Sequence, residues 1–259
     1  MIRNKKTYSN FESKLDRLKN SKFFPTNHNY ELQLEYFIES SEDFSVFGNI
    51  NETKKWFRKI RKSNQMKIKK FDISRLDQWK INKKKIYHAS NDFFKIEGIR
   101  TFTKIRESNQ NYWDQPIITQ VGYDGGILGL IRKKIFGNPH YLCEAKFEPG
   151  NYKLVQISPS LQATFSNINK AHNGRSPYFY DLFINKKNNH KILFDSWTSE
   201  DGGRFLKKRN RSILIEVPHN YKIKIPNNNF RWLSLFQIKA LLKENAWINP
   251  HLRGIIAHT

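Results

Sequence analysis

Cysteine is almost absent. Cys143 is the only one in 259 residues, so no intrachain disulfide and no cysteine-based zinc cluster can form. A reducing, cytoplasmic setting is the expectation. Long apolar runs are also missing, and none approaches the roughly 18 residues that a membrane-spanning helix needs. The opening Met1-Ile2-Arg3-Asn4-Lys5-Lys6 leads into polar sequence and lacks the apolar core of a secretory leader. Acidic residues are scarce, with 23 Asp and Glu against 46 Lys and Arg, a formal net charge of +23. No phosphate loop, Gly-x-Ser-x-Gly elbow or Gly-x-Gly-x-x-Gly run occurs. The eight histidines are scattered, and none has metal-site spacing.

What is present is aromatic. Phe, Tyr and Trp reach 14%, enough to fill a sizeable core although only 38% of residues are hydrophobic. The length allows one large domain or two small ones. The positive charge has two readings. One is a polyanionic partner, nucleic acid or an anionic membrane surface. The other is a composition rich in Lys, Asn and Ile that scatters lysine over the surface.

The chain changes texture near residue 86. Before it, lysine is dense and Gly48 is the only glycine. Trp56, Phe57 and Ile60 recur at helical spacing, with Asn51 or Thr53 as the expected N-cap. Leu32, Leu34, Tyr36 and Phe37 suit another helix. After residue 86, short apolar or alternating stretches are separated by Gly, Pro and Asn, and these read as strands. Tyr123-Asp124-Gly125-Gly126 and Glu148-Pro149-Gly150-Asn151 are turn signals. Leu233 to Leu242 reads as a helix with Ser234 near its start, and residues 248–259 as a surface tail. The expected class is α+β: a helical N-terminal arm over residues 1–50, then an antiparallel-rich domain over 51–259.

Three constellations carry chemical potential. On the strand from Tyr141 to Glu148, alternation sends Tyr141, Cys143, Ala145 and Phe147 to a core. Leu142, Glu144, Lys146 and Glu148 then share the other face. Two carboxylates bracketing an ammonium form either an acid–base set or a solvated face with cross-strand ion pairs. Gln156, Ser158 and Ser160, followed by Gln162 and Thr164, suit a polar ligand such as a sugar. Ser158-Pro159 also reads as a helix N-cap. Arg209 and Arg211 point the same way on a strand and could clamp a diphosphate, or form a basic patch. The loop from Ser199 to Arg204 opens onto that end. Among the histidines, His88 is the best acid–base candidate.

Ordered blocks then give a resemblance. They are Tyr87-His88-Ala89-Ser90-Asn91-Asp92-Phe93-Phe94 with Gly98, Trp113 to Gln120, and Gly126-Ile127-Leu128-Gly129. Glu144 to Asn151, Ile157 to Thr164 with Ser166-Asn167, and His172-Asn173-Gly174 follow. Ser199-Glu200, Lys208 to Arg211, and Phe230-Arg231-Trp232 with Gln237 close the series. Over about residues 50–255 the chain resembles the NDP-hexose 2,3-dehydratases of deoxysugar biosynthesis.

The resemblance implies a Nudix-like mixed sheet with packed helices. It lacks the glutamate-rich signature of Nudix hydrolases, which disfavours diphosphate hydrolysis. It implies loss of water across C-2 and C-3 of an NDP-4-keto-6-deoxyhexose, a thymidine diphosphate sugar by family default, to give a 3,4-diketo-2,6-dideoxyhexose. No metal or cofactor is implied. The product would pass to an NADPH-dependent 3-ketoreductase. By this resemblance Glu144, Glu148 and His88 are candidates for base and acid. Lys146, Gln156 and Ser158 would bind the sugar or polarise its ketone, with Gln162, Thr164, His172 and Arg204 nearby. Arg209 and Arg211 would hold the diphosphate, and Trp113 or Tyr123 would stack on the base. Members commonly carry two copies of the unit where this chain has room for one, so a homodimer is expected. Three alternatives stay open: an NDP-sugar isomerase or epimerase, a non-catalytic sugar-nucleotide binder, and a basic nucleic-acid-binding protein.

Overall fold

A computed structural model describes residues 10–21, 29–102, 112–120, 125–164, 176–185 and 189–259. Three helices come first: α1 (Asn10–Lys19), α2 (Asn29–Ser41) and α3 (Ile50–Lys62). In α3, Thr53, Phe57 and Ile60 make the buried stripe. Its N-cap is Asn49, not Asn51 or Thr53. The Asn49 side chain accepts from the N–H groups of Asn51 and Glu52, and Glu52 accepts from the Asn49 N–H at 2.9 Å. That reciprocal capping box outcompetes a cap placed further inside. Gly48 makes it possible: its φ is +114°, and a Cβ there would meet Glu52 Oε2 at 2.3 Å.

Four strands follow as one antiparallel sheet in chain order: β1 (Trp79–Ile81), β2 (Lys85–His88), β3 (Phe94–Phe102) and β4 (Tyr112–Gln120). The remaining strands form a seven-stranded mixed sheet. They are β5 (Gly126–Ile135), β6 (Asn138–Phe147), β7 (Val155–Ser158), β8 (Leu161–Ala163), β9 (Lys191–Ser199), β10 (Arg209–Val217) and β11 (Phe230–Leu233). The order is β11-β6-β5-β10-β9, with β7 on β6 and β8 on β5. β10 runs parallel to β5, a pairing that needs a crossover connection rather than a tight turn, and β6 to β9 all intervene in the chain between residues 135 and 209. The chain between β8 and β9 contains the short helix α4 (Tyr180–Ile184). The expected α+β class with a mixed sheet is the one observed. Among the described residues no helix is long and apolar enough to cross a membrane.

Both faces of the larger sheet are covered. On one, α3, α5 (Leu235–Leu241) and α6 (Pro250–Ile256) pack over Leu128, Leu130, Tyr141, Cys143, Ala145 and Leu214. On the other, Phe183 of α4 and Phe230 pack over Ile127, Ile131, Leu142, Ile213 and Ile215. Leu142, expected on the ligand-facing side, is therefore fully buried. The residues read as a surface tail form α6, with Leu252, Ile255 and Ile256 buried. Their three- and four-residue spacing makes an apolar face, and α6 turns it onto the sheet.

The sheet splays at its centre. β5 and β6 pair from Ile135↔Asn138 as far as Ile131↔Leu142 and then part. Beyond that point β5 pairs with β8 and β6 with β7. Ser160 sits in the crotch: its Oγ accepts from Ile131 N at 3.0 Å and donates to Leu142 O at 2.5 Å. One hydroxyl thus satisfies two buried backbone groups that the parting strands leave behind. The helix read after Ser158-Pro159 does not form, because β7 ends at Ser158 and β8 begins at Leu161. The cap was the local reading. Pairing with β6 and β5 overrides it.

Candidate active site

The fork between β5–β8 and β6–β7 gathers the polar residues of the centre. Glu144 and Lys146 of β6 lie opposite Ser158 and Gln156 of β7 in register. Glu148 follows in the expected turn, where Asn151 N donates to Glu148 O at 3.1 Å. Gln162 on β8 donates through Nε2 to Glu148 Oε1 at 2.8 Å. Lys146 Nζ reaches the Gln162 carbonyl at 3.4 Å. From α6, Asn249 Nδ2 donates to Ser158 Oγ at 2.8 Å and to Gln162 Oε1 at 3.1 Å. Gln156 is held away by the Ala246 carbonyl at 3.0 Å. Five of the expected residues therefore meet, Glu144, Lys146, Glu148, Ser158 and Gln162, with Gln156 in register with Lys146 but turned to Ala246. Thr164 lies just past the end of β8.

The two carboxylates are not equivalent. Burial pushes Glu144 above the usual carboxylate range; Lys146 pulls it down and Glu148 pushes it up again. The Glu144 side chain makes no hydrogen bond to a described residue, whereas that of Glu148 accepts one from Gln162. One half-buried carboxyl with its pKa pushed up, beside another tied by an amide, is the kind of asymmetry that acid–base chemistry uses.

Other expected residues lie elsewhere. His88 is on β2, where its ring packs against Trp79 and Phe93 and its Nδ1 meets Ser90 Oγ at 2.8 Å. Trp113 is exposed on β4 and donates to Gln115 at 3.0 Å. Gln115 in turn donates to the Gly203 carbonyl at 3.2 Å, beside Arg204. Arg204 pairs with Asp201 in the same exposed loop. Arg209 and Arg211 do share a face of β10, but Arg211 is held by Asp195 through Nε at 2.8 Å and through Nη2. Arg209 lies over Trp197 at 5.0 Å. Tyr123 and His172 lie outside the described residues.

Two features were missed from sequence. Asn249 is one, although Asn-Pro ahead of a helical apolar stripe is a helix-start signal. The other is a cavity of about 660 Å³ lined by Trp56, Lys59, Ile225, Phe230 and Arg231. Trp56 closes one wall by donating to the Asn228 carbonyl at 2.9 Å. Phe230 of that wall is the register partner of Glu144. No local pattern joins α3 to β11, so sequence alone does not reveal this cavity.

The fold and the fork define an α+β protein whose mixed sheet opens onto a cluster of two carboxyls, an ammonium and neighbouring amides. The profile of the NDP-hexose 2,3-dehydratase family matches residues 50–259, which contain the whole fork. The chain belongs to that family. It is 35% identical over 204 residues to a dTDP-4-dehydro-6-deoxy-alpha-D-glucopyranose 2,3-dehydratase of Saccharopolyspora spinosa, a match covering 78% of this chain and 40% of that protein. It is 32% identical over 211 residues to the Amycolatopsis orientalis protein of the same name, covering 80% and 44%. The chain thus spans less than half the length of these curated relatives. Among solved structures, a C. elegans Ap4A hydrolase matches at 12% identity and a TM-score of 0.31, covering 51% of this chain and 92% of that one. A Nudix hydrolase from M. smegmatis, RenU, matches at 12% and 0.30, covering 53% and 88%. Scores that low carry no weight for fold or for hydrolysis.

Proposed function

We propose that this chain carries out elimination of water across C-2 and C-3 of an NDP-4-keto-6-deoxyhexose, with a dTDP sugar as the substrate. The observation that carries this is the pair Glu144 and Glu148 set around Lys146 in the fork, inside the region that matches the family. The C-4 ketone acidifies the proton on C-3. A carboxylate takes that proton, and the C–H electron pair moves to give the C-4 enolate. The enolate re-forms the ketone as the C-2 hydroxyl departs with a proton from the second carboxyl. The resulting enol tautomerises to the 3,4-diketo sugar. The Lys146 ammonium is the cation available to the developing enolate oxygen.

The 660 Å³ cavity beside β11 supplies an aromatic ring and cations from Trp56, Lys59 and Arg231 for the nucleotide half. Arg211 is less suited to a diphosphate, because Asp195 already occupies its fork of donors. The product is a reactive diketone, which calls for an NADPH-dependent 3-ketoreductase downstream. The unit works as a homodimer, the commonest closed assembly.

Incubation with a dTDP-4-keto-6-deoxyhexose, a ketoreductase and NADPH tests the reaction by mass spectrometry. Loss of one water before reduction is expected. Unchanged mass with deuterium uptake at C-3 would convert the reading to an isomerase or epimerase. Neither change, with no nucleotide binding, would end the sugar-nucleotide reading.

A further inference from the structure

The direction of each hydrogen bond in the fork is fixed from a single backbone group. The Leu252 N–H in the first turn of α6 can only donate, and it meets Asn249 Oδ1 at 2.9 Å. The oxygen of Asn249 is therefore committed to the helix, and its NH₂ must point into the fork. There it donates to Ser158 Oγ at 2.8 Å and to Gln162 Oε1 at 3.1 Å. Two amide nitrogens cannot face each other at that distance, so the oxygen of Gln162 faces Asn249. Its NH₂ then faces Glu148, at 2.8 Å from Oε1. Each amide orientation follows from donor and acceptor chemistry alone. Asn249 and Ser158 are buried, so water does not compete for the bond between them, while Gln162 and Glu148 are half-buried.

At the end of this relay Glu148 is required to accept. The relay thereby fixes the direction in which the Glu148 carboxyl points. Glu144 stands across from Ser158 and Phe230 in register, and its side chain makes no hydrogen bond to a described residue. Nothing in the fork stabilises its charge except Lys146, and burial opposes that charge.

We infer that Asn249 is a positioning residue. Acting through Gln162, it orients Glu148 as the base that takes the C-3 proton. Glu144 is left to protonate the departing C-2 hydroxyl. This assignment rests on the elimination proposed above. The proton count closes: Glu148 gains the C-3 proton, Glu144 loses one to the leaving hydroxyl, and the two exchange back with solvent after release.

Asn249 also caps α6, so the test must separate the two roles. Asn249→Ser and Asn249→Asp both keep an N-cap acceptor and both lose the amide donor. Gln162 is then free to turn its oxygen to Glu148. Both variants keep the helix cap and, assayed below their own melting temperatures, are expected to keep the KM of the parent while kcat falls about 100-fold, within the range for general base catalysis. Exchange of the C-3 proton with heavy water should slow in step. Glu148→Gln should lose exchange and elimination together, whereas Glu144→Gln should keep exchange and lose elimination. If Glu148→Gln still exchanges and Glu144→Gln does not, the assignment is overturned while the elimination stands. If Asn249→Ser keeps full kcat, the relay is overturned. A parent protein that neither exchanges nor eliminates would remove the proposed function itself.

Discussion

In the seven-stranded sheet the central strands β5, β6 and β10 are covered on both faces, and their polar groups are tied into networks. In the four-stranded sheet only Ile117 and Thr119 are buried within the strands. One face of that sheet carries Trp79, Ile81, Ile86, Phe94, Ile96, Phe102 and Tyr112, as the register requires. Phe102 is 74% exposed. Each sheet also holds an arginine with carboxylate partners. Arg100 and Asp114 make two aligned bonds of 2.7 and 2.8 Å. Arg132 meets Glu39 at 2.6 Å and also touches Glu35 and Glu216. Geometry hardly separates the two groups. Burial does: the Arg132 side chain is 1% exposed, and Arg100 and Asp114 are 54% and 55% exposed. What an ion pair does for the fold is set by the solvent it has lost.

The largest effect is therefore expected at Arg132. Its cluster joins α2 to the sheet, because Glu35 and Glu39 lie on α2 while Glu216 lies on β10. Tyr141 donates to the second oxygen of Glu39 at 2.7 Å. Burial alone would lower the Arg132 pKa, but Glu39, Tyr141, Glu216 and Glu35 outweigh it and hold the guanidinium charged. Arg132→Met leaves the buried Glu39 facing Glu35 and Glu216 without its cation, and only Glu35 keeps one, Lys134 at 3.1 Å. A loss of about 3–5 kcal/mol is expected, read as a fall in the urea midpoint. A variant that also replaces Glu35, Glu39 and Glu216 with apolar residues should recover much of it. If Arg132→Met unfolds at the parental midpoint, burial does not separate the two sheets.

This cluster also marks the limit of the sequence. Strands β5, β6, β7, β9 and β10 were legible because their side chains alternate or run apolar between turn residues. The candidate cluster was legible where it follows one strand: Glu144 and Lys146 share a face because the period is two, and Glu148 follows in the turn. The partners of Arg132 were not legible, since Glu35 lies 97 residues away and no local pattern links them. Ser160 was read as a ligand group, whereas its hydroxyl closes the splay between β5 and β6. Asn249 was missed for a different reason. Its signal was local, but reading residues 248–259 as a tail set it aside.

A middle effect is expected at His140, on the covered sheet. Its Nε2 accepts from Val46 N at 3.1 Å, and its Nδ1 donates to Asn138 O at 2.8 Å. The ring is therefore neutral, and burial lowers its pKa from 6.5 to about 4. Above pH 6.5 neither the folded nor the unfolded chain protonates it. Below that value the unfolded chain takes up a proton that the folded chain refuses, so stability falls as pH drops from 6.5 toward 4. The loss is on the order of 3 kcal/mol. His140→Gln should flatten that part of the stability–pH curve relative to the parent. A curve of unchanged slope would show that His140 is solvated in the folded chain.

The smallest effect is expected at Asp114, and it is the sharpest test of the comparison. The pair with Arg100 has the two-point geometry that makes arginine–carboxylate contacts strong when dry. Here both groups stand in water, and Arg100 also lies over the Tyr112 ring at 4.5 Å. Arg100 holds the Asp114 carboxyl below the usual carboxylate range, yet solvent and salt screen what that contact gives the fold. Asp114→Ala should leave the urea midpoint where it was at physiological salt. A clear fall at low salt that vanishes at high salt would keep the pair as a screened contact. A fall that persists at high salt would mean the aromatic face is covered in solution, and that the four-stranded sheet is the open one only in the isolated chain.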